Sequence, residues 1–308
     1  MNEKTLTVSY APHFTSDLTT SRIMLDVLIA LCPALLASVI IFGPRALLIV
    51  FICVVSCVVS EWAYEKATRK PVTIRDCSAC VTGALLAYNL PVTIPLWQAM
   101  FGSAVAIIMV KQLFGGIGKN FANPAITGRV VMFLAFSTTM TTWILPPDGL
   151  TGATPLMLIS KGRLSELPSL IDMILGVRGG CIGETSVVAL VIGGAYLLIK
   201  QVIEWHTPVS FIGTVFILSA ALGGQPVYQT LSGGLFLGAI FMATDYSTVP
   251  LTRAGRAVFG VGAGIMTVLI RFYGSYPEGV SFAILLMNTL VPLIDRLTFN
   301  KPLGGVKA

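Results

Sequence analysis

Charge is scarce in this sequence. Only 11% of its 308 residues are Asp, Glu, Lys or Arg, whereas a water-soluble domain carries about 25%. So thin a supply cannot cover a soluble globular surface. The net charge of +6 therefore does not point to nucleic acid, because the basic residues lie between apolar runs instead of forming a patch. Histidine is scarcer still, with only His13 and His206. No H-E-x-x-H occurs and no Ser/His/Asp arrangement can be assembled, which leaves zinc hydrolysis and triad chemistry without candidates. Gly115-Gly116-Ile117-Gly118-Lys119 lacks the earlier glycine of a Walker A loop, since Leu113 stands there, and Phe121 takes the place of the last glycine of G-x-G-x-x-G. It reads as a flexible turn. The six cysteines form no secreted disulfide framework. Cys77-x-x-Cys80 has no second pair to complete a four-ligand site, so small buried residues at a helix start are the better reading.

What is abundant is apolar sequence. Hydrophobic residues make up 55% of the chain and mean hydropathy is +0.85. Ten apolar runs are expected to be helices, at 23–42, 45–62, 77–90, 96–114, 122–145, 186–200, 207–223, 227–244, 256–273 and 279–296. A spanning helix needs about 20 apolar residues, so the short third and sixth runs are read as tilted or broken. The first 22 residues are polar, and the run that follows is long enough to stay in the membrane, so no cleavable signal is expected. With the N-terminus inside, fifteen of the 20 Lys and Arg fall on the inner side, Arg129 counted among them, and five on the outer. Lys and Arg favour the cytoplasmic side. Both termini are therefore expected there, and the chain is expected to be a multi-pass protein of the lipid bilayer.

This reading divides the chain into an inner segment 1–22, a five-helix half 23–145, an outer loop 146–185, a second five-helix half 186–296 and an inner tail 297–308. Loops this long are usually functional or disordered. The apolar clusters Leu156 to Ile159 and Leu170 to Leu175 favour a folded cap. Five helices per half is the arithmetic of an inverted repeat, common in transporters. The expected fold is an all-α integral membrane protein of two five-helix inverted repeats with broken or short helices. A faint echo of Gly83-Ala84-Leu85-Leu86-Ala87-Tyr88 in Gly193-Gly194-Ala195-Tyr196-Leu197-Leu198 is the thin sequence support for it.

Ionisable residues in or beside apolar runs are functional candidates by default. Asp26 follows Arg22 by four residues and is expected to pair with it. Glu61 ends the second run beside Trp62 and Tyr64, and is expected to be a solvated end. Asn123, Asp245, Glu278 and Asn288 are candidates for lining an ion path or a ligand cavity. Asn123-Pro124 is equally a plain helix start, Asn capping and Pro in the first turn. In the outer loop, Pro147-Asp148-Gly149 is a turn with a mechanism, after which Gly152 and Ala153 separate Thr151 from Thr154. Neighbours this small are expected to leave a hydroxyl sterically open to a bulky group.

Asp148-Gly149-Leu150-Thr151-Gly152-Ala153-Thr154 resembles the flavinylation motif of membrane redox pumps. The chain is similar to the family that unites the D subunits of Rnf complexes with the B subunits of sodium-pumping NADH:quinone oxidoreductases. Gly118 to Ala125, Phe241 to Asp245 and Pro277 to Asn288 resemble that family's stretches in the right order, with Tyr246 a departure where a smaller residue is the rule. The resemblance implies FMN joined by a phosphoester to Thr154, with Thr151 unmodified and Asp148, Gly149, Gly152 and Ala153 completing the motif. It also implies a second, non-covalent flavin, riboflavin, at a place no motif fixes. Lys161, Arg163 and Arg178 are expected to offset the phosphodiester charge. The implied partners are a flavin transferase and the other membrane and peripheral subunits of an Rnf-type complex in the bacterial inner membrane. The complex passes electrons between ferredoxin and NAD⁺ and couples them to Na⁺ or H⁺ movement. This chain would act as an electron relay without a complete active site of its own. The competing readings are a non-redox inverted-repeat transporter or channel, and a structural anchor.

Overall fold

A computed structural model describes residues 19–145, 150–274 and 278–299. A helix lies over each of the ten apolar runs. Helix α1 (Thr20–Phe42) starts where the Thr19 hydroxyl accepts from the Arg22 amide and ends at Gly43. That glycine holds φ at +79°, a left-handed value that suits a residue without Cβ. Pro44 opens α2 (Pro44–Ala67) directly after it. Next come α3 (Ser78–Tyr88), α4 (Leu96–Ala104) with a π-helical continuation Val105–Gln112, α5 (Pro124–Ala135) and α6 (Ser137–Met140).

The loop expected outside is folded over its described residues 150–185. A two-stranded antiparallel ribbon, β1 (Ile144–Leu145) with β2 (Leu150–Thr151), is followed by α7 (Pro155–Ser160) and α8 (Leu170–Leu175). Leu156, Leu158 and Met173 are buried beneath it. The second half holds α9 (Val187–Ile199), α10 (His206–Ala221), and a broken eighth helix made of α11 (Pro226–Leu231) and α12 (Leu235–Leu237). Helix α12 continues into the π-helical Gly238–Met242. Helices α13 (Arg253–Tyr273) and α14 (Val280–Thr298) complete the chain. Among the described residues, α1, α2, α13 and α14 are long and apolar enough to cross a membrane. The protein is an all-α membrane protein apart from the short ribbon.

Packing repeats between the halves. Contacts of α2 with α4, of α4 with α5 through its π segment, and of α3 with α5 recur as α10 with α13, α13 with α14, and the Gly238–Met242 segment with α14. Between halves, α1 packs on α9 and α5 on α14. The faint sequence echo joins the third and sixth helices, which do not hold equivalent places in this scheme. Its glycines have separate packing reasons. A Cβ on Gly83 would lie 2.7 Å from Cα of Val54, and Gly193 sits against the Ala30 carbonyl on α1.

Turns expected on the same side contact one another. Ser21 donates to the Arg75 carbonyl, the Leu251 amide to Asp295, and Arg256 pairs with Glu204. In the other set, Arg45 reaches the carbonyls of Thr93 and Ile94, and Tyr228 donates to Pro168. Three expectations are corrected here. Asp26 pairs with the Tyr196 hydroxyl at 2.8 Å, and no Arg22–Asp26 ion pair is present among the described residues. Arg129, counted among the inner charges, is buried and forms an ion pair with Glu278, a residue expected at the opposite side. Glu61 is 0% exposed instead of solvated, because Lys111 and Gln112 come down on it from the π segment.

Candidate functional site

Thr154 is the N-cap of α7. Its Oγ1 accepts from the Met157 amide at 3.3 Å, and Pro155 fills the first helical position, where no N–H is needed. The residue is 5% exposed, so its hydroxyl is less open than the small neighbours suggest. Gly152 is small for a different reason: the Leu145 side chain occupies the space a Cβ would need. Gly152 and Ala153 are nevertheless half-buried and Thr151 is exposed, which leaves this strip approachable from one side. Thr154 carries the hydroxyl that would hold a phosphoester here; it lies buried at the end of this half-open strip, so attachment would have to draw it out of its capping position. Asp148 and Gly149 lie outside the described residues.

Of the three cations expected to face a phosphate, Lys161 is exposed beside α7, Arg163 is tied to Glu166 at 2.5 Å, and Arg178 is buried. Arg178 donates to the Glu184 carbonyl at 3.0 Å, and burial pulls its guanidinium down to about 10 against the attraction of Glu184. Arg178 therefore belongs to a buried layer beneath the cap. There, Arg271 donates to the carbonyls of Gln229 and Ser232 at the end of α11. Glu184 accepts from the Cys181 amide with Oε1, while its Oε2 sits where a Cβ on Gly234 would lie 3.0 Å away. The two halves of the broken helix thus meet opposite charges, the cation at a helix C-terminus and the carboxylate at an N-terminus. Leu156 of α7 and the Arg271 guanidinium both border Gly233, which holds φ at +64° in the break. Arg129 completes the layer by donating to Glu278 at 2.5 Å and to the Ser281 hydroxyl.

At the other end, Asn123 caps α5 through the amides of Ala125 and Ile126 and donates from Nδ2 to the Met242 carbonyl. With its amide turned to the orientation that satisfies both groups, Asn288 accepts from the Asn123 amide and donates to the Thr248 carbonyl, each at 3.1 Å. Asn123, Asn288 and the Asp245 turn are thereby joined, while Glu278 belongs to the Arg129 layer. A narrow cleft of about 90 Å³ opens beside them. It is lined by Val81, Leu85, Phe241, Asn123, Asp245 and Lys111, among others. Asp245 accepts from the hydroxyls of Ser247 and Thr248, and burial still raises its carboxyl above the ordinary range. Tyr246, the departure from the expected small residue, donates to the Val202 carbonyl and forms part of the wall. The glycine-rich stretch before α5 is a turn, with positive φ at Gly115, Gly116 and Gly118. Cys77 and Cys80 are half-buried and free, and no metal-holding group of His, Cys, Asp and Glu occurs among the described residues.

The sequence offers Arg271, beside Glu278, as a residue that could line an ion path, gives no sign that Lys111 and Glu184 are partners in buried clusters, and places Arg129 only by its charge. An arginine inside an apolar run is a signal of its own, and Arg129 carries it.

The model of the NQR2, RnfD, RnfE family matches residues 7–304. The D subunit of the Na⁺-translocating ferredoxin:NAD⁺ oxidoreductase complex of Acetobacterium woodii is 45% identical, over 100% of this chain and 98% of that protein. The D subunit of the proton-translocating ferredoxin:NAD⁺ oxidoreductase complex of Clostridium ljungdahlii is 43% identical, over 95% and 94%. The D subunit of the ion-translocating oxidoreductase complex of Stutzerimonas stutzeri is 37% identical, over 92% of each. With a full-length match of this strength, the chain belongs to the NQR2, RnfD, RnfE family.

Proposed function

We propose that this chain is the membrane electron-carrier subunit of a redox-driven Na⁺- or H⁺-translocating complex of the ferredoxin:NAD⁺ oxidoreductase type, with FMN held as a phosphoester on Thr154. The supporting observation is the threonine itself: the last residue of a flavinylation-like motif caps a short helix on a half-open strip of a folded cap. FMN, when bound, supplies one- and two-electron redox chemistry. The chain's own residues do the rest. Thr154 anchors, Lys161 lies exposed near the anchor, and the buried layer of Arg129, Arg178, Arg271, Glu184 and Glu278 surrounds the break in the eighth helix. The partners in this reading are a flavin transferase and the remaining subunits of the complex. The ten helices form two inverted five-helix repeats in the bacterial inner membrane, with both termini cytoplasmic and the cap outside. The contacts shared by the two halves support the repeat, and the Lys and Arg distribution supports the orientation. The Asp245 cleft, which sets Asn123, Asp245 and Lys111 against an apolar wall, is the proposed seat of the non-covalent flavin and would have to widen to admit it.

A transporter without redox chemistry is favoured by that same cleft but leaves Asp148 to Thr154 without a role. The test is a denaturing gel under ultraviolet light, run on the chain co-expressed with a flavin transferase, beside Thr154→Ala and Thr151→Ala. Fluorescence is expected in the wild type and Thr151→Ala and absent in Thr154→Ala. A dark wild-type band, with the transferase active on a control substrate, sinks the flavin reading and leaves the transporter.

A further inference from the structure

We infer that the hollow between the start of α1 and the end of α9 seats the phosphate of an anionic phospholipid, whose acyl chains lie along the apolar faces of those two helices. The hollow measures about 180 Å³ and is lined by Arg22, Asp26, Lys200, Gln201, Val202 and Tyr246, among others. Helix α1 packs on α9. One turn inward from both basic residues, Tyr196 donates to Asp26 at 2.8 Å. Asp26 is thereby engaged by α9 instead of by Arg22 on its own helix. Among the described residues neither Arg22 nor Lys200 has an ion-pair partner. Both are exposed, and the Lys200 ammonium stands 5.8 Å from the centre of the Tyr196 ring. Tyr246 and Val202, joined by a hydrogen bond, line this hollow as well as the Asp245 cleft.

Two cations beside one engaged carboxylate suit a phosphodiester of single negative charge. Helix dipoles do not set the sign here, because a helix start and a helix end adjoin and offset one another. The side chains set it. Arg22 offers a fork of donors to phosphate oxygens, Lys200 a compact charge, and Gln201 an amide at the rim. The adjoining hollow holds Arg256, but Glu204 pairs with that guanidinium at 2.9 Å, so it does not compete. Beyond the charges the surface turns apolar. Leu25 and Ile29 are exposed and share a face of α1 with Arg22 at spacings of three and four. On α9, Ile192 is exposed, and Ile199, directly before Lys200, is 82% exposed. A charged seat that opens onto apolar helix faces matches a lipid and not a free phosphate, which has no use for those faces. Basic pockets between membrane helices hold anionic headgroups in this way, and long basic side chains reach out to them from the edge of the bilayer. The inference needs α1 and α9 in a bilayer. It depends neither on which side is cytoplasmic nor on the flavin at Thr154.

Native mass spectrometry of the full chain, alone and in its purified complex, tests it. The probes are phosphatidylglycerol and phosphatidylcholine with the same acyl chains. The wild type should retain phosphatidylglycerol in preference. Arg22→Gln and Lys200→Gln should each weaken that retention about fivefold, the worth of one basic side chain at an anionic headgroup, and the double variant should erase the preference. Arg22→Lys keeps the charge and should keep most of the binding. Arg253→Gln, which removes an exposed cation outside the hollow, should change nothing. A loss in Arg253→Gln equal to that in Arg22→Gln would mean diffuse surface charge and overturn the site. Release of the lipid by inorganic phosphate alone would reduce it to an anion site and overturn the lipid assignment. Retention by the isolated chain but not by the complex would give this face to a neighbouring subunit and overturn it as well. The fluorescent gel band at Thr154 should be the same in every variant, so failure here is distinct from failure of the flavin assignment.

Discussion

The guanidinium of Arg129 and the carboxyl of Glu278 meet at 2.5 Å although 149 residues separate them in the chain. One stands on α5 and the other in the turn before α14, so the pair fastens the last helix of one half to the last helix of the other. Burial pushes the Glu278 carboxyl up to about 7, outweighing the attraction of Arg129. A raised value means that the fold prefers the proton. That stabilisation is complete below the unfolded value of about 4.3 and is lost as pH rises through about 7. The melting temperature of the wild type should therefore fall, relative to Glu278→Gln, between about pH 5 and pH 8. Arg129→Leu, which strands the carboxyl, should cost about 3–5 kcal/mol once Glu278 is ionised. Thermal melts in one detergent across that range check both; a constant gap between wild type and Glu278→Gln would mean Glu278 keeps one charge state throughout.

Leu145 fills the space above Gly152, and this contact ties the strip before Thr154 to the ribbon. Gly152→Ala should displace Leu145 and lower flavin attachment, at a stability cost of about 1–3 kcal/mol from overpacking. Leu145→Ala in the same chain should restore much of the attachment, because the space is then free. In-gel flavin fluorescence normalised to protein gives both numbers. Unchanged fluorescence in Gly152→Ala would show that the contact does not shape the attachment segment.

Non-covalent flavin should respond to the other end of the molecule. Asn123 caps α5 and also holds the Met242 carbonyl, so Asn123→Ala loses a cap worth about 1 kcal/mol and loosens the cleft wall. Flavin released by denaturation should fall in this variant while the covalent band at Thr154 stays constant. Parallel loss of both pools would point to general unfolding and remove the cleft assignment.

Much of this architecture is legible in the sequence because helix-length apolar runs are a strong signal, and the helices observed lie over all ten of them. Gly43-Pro44 and Asn123-Pro124 mark helix boundaries by local chemistry alone. Glu61 escapes such a reading because its burial depends on Lys111 and Gln112, which lie about 50 residues away, so no local pattern announces the contact. Charge counting sees only the sign of Arg129, whereas its role comes from Glu278 in the other half. Gly152 carries two compatible explanations, room for a ligand or room for Leu145, and composition cannot separate them. The break at Gly233–Gly234 is legible as glycine but not as a junction faced by Arg271 and Glu184, since those residues come from other segments.

That junction supports a last prediction. Arg271 is 6% exposed and gives its two terminal nitrogens to the carbonyls of Gln229 and Ser232, where α11 ends and its backbone acceptors have no helical partners. Arg271→Leu leaves those carbonyls buried and unpaired, at about 1–3 kcal/mol each. It also removes one of the cations near Glu184 and takes away a side chain bordering Gly233, against which Leu156 of α7 packs. The damage should spread from the break to the cap. Hydrogen exchange should quicken at 226–235 and at 155–160 together, while α1 and α2 keep their protection. Arg271→Lys keeps the charge but not the two-pronged geometry, and should give an intermediate result. If exchange quickened in 226–235 alone, the broken helix and the threonine-bearing cap would be mechanically separate, and Arg271 would act only as a helix cap.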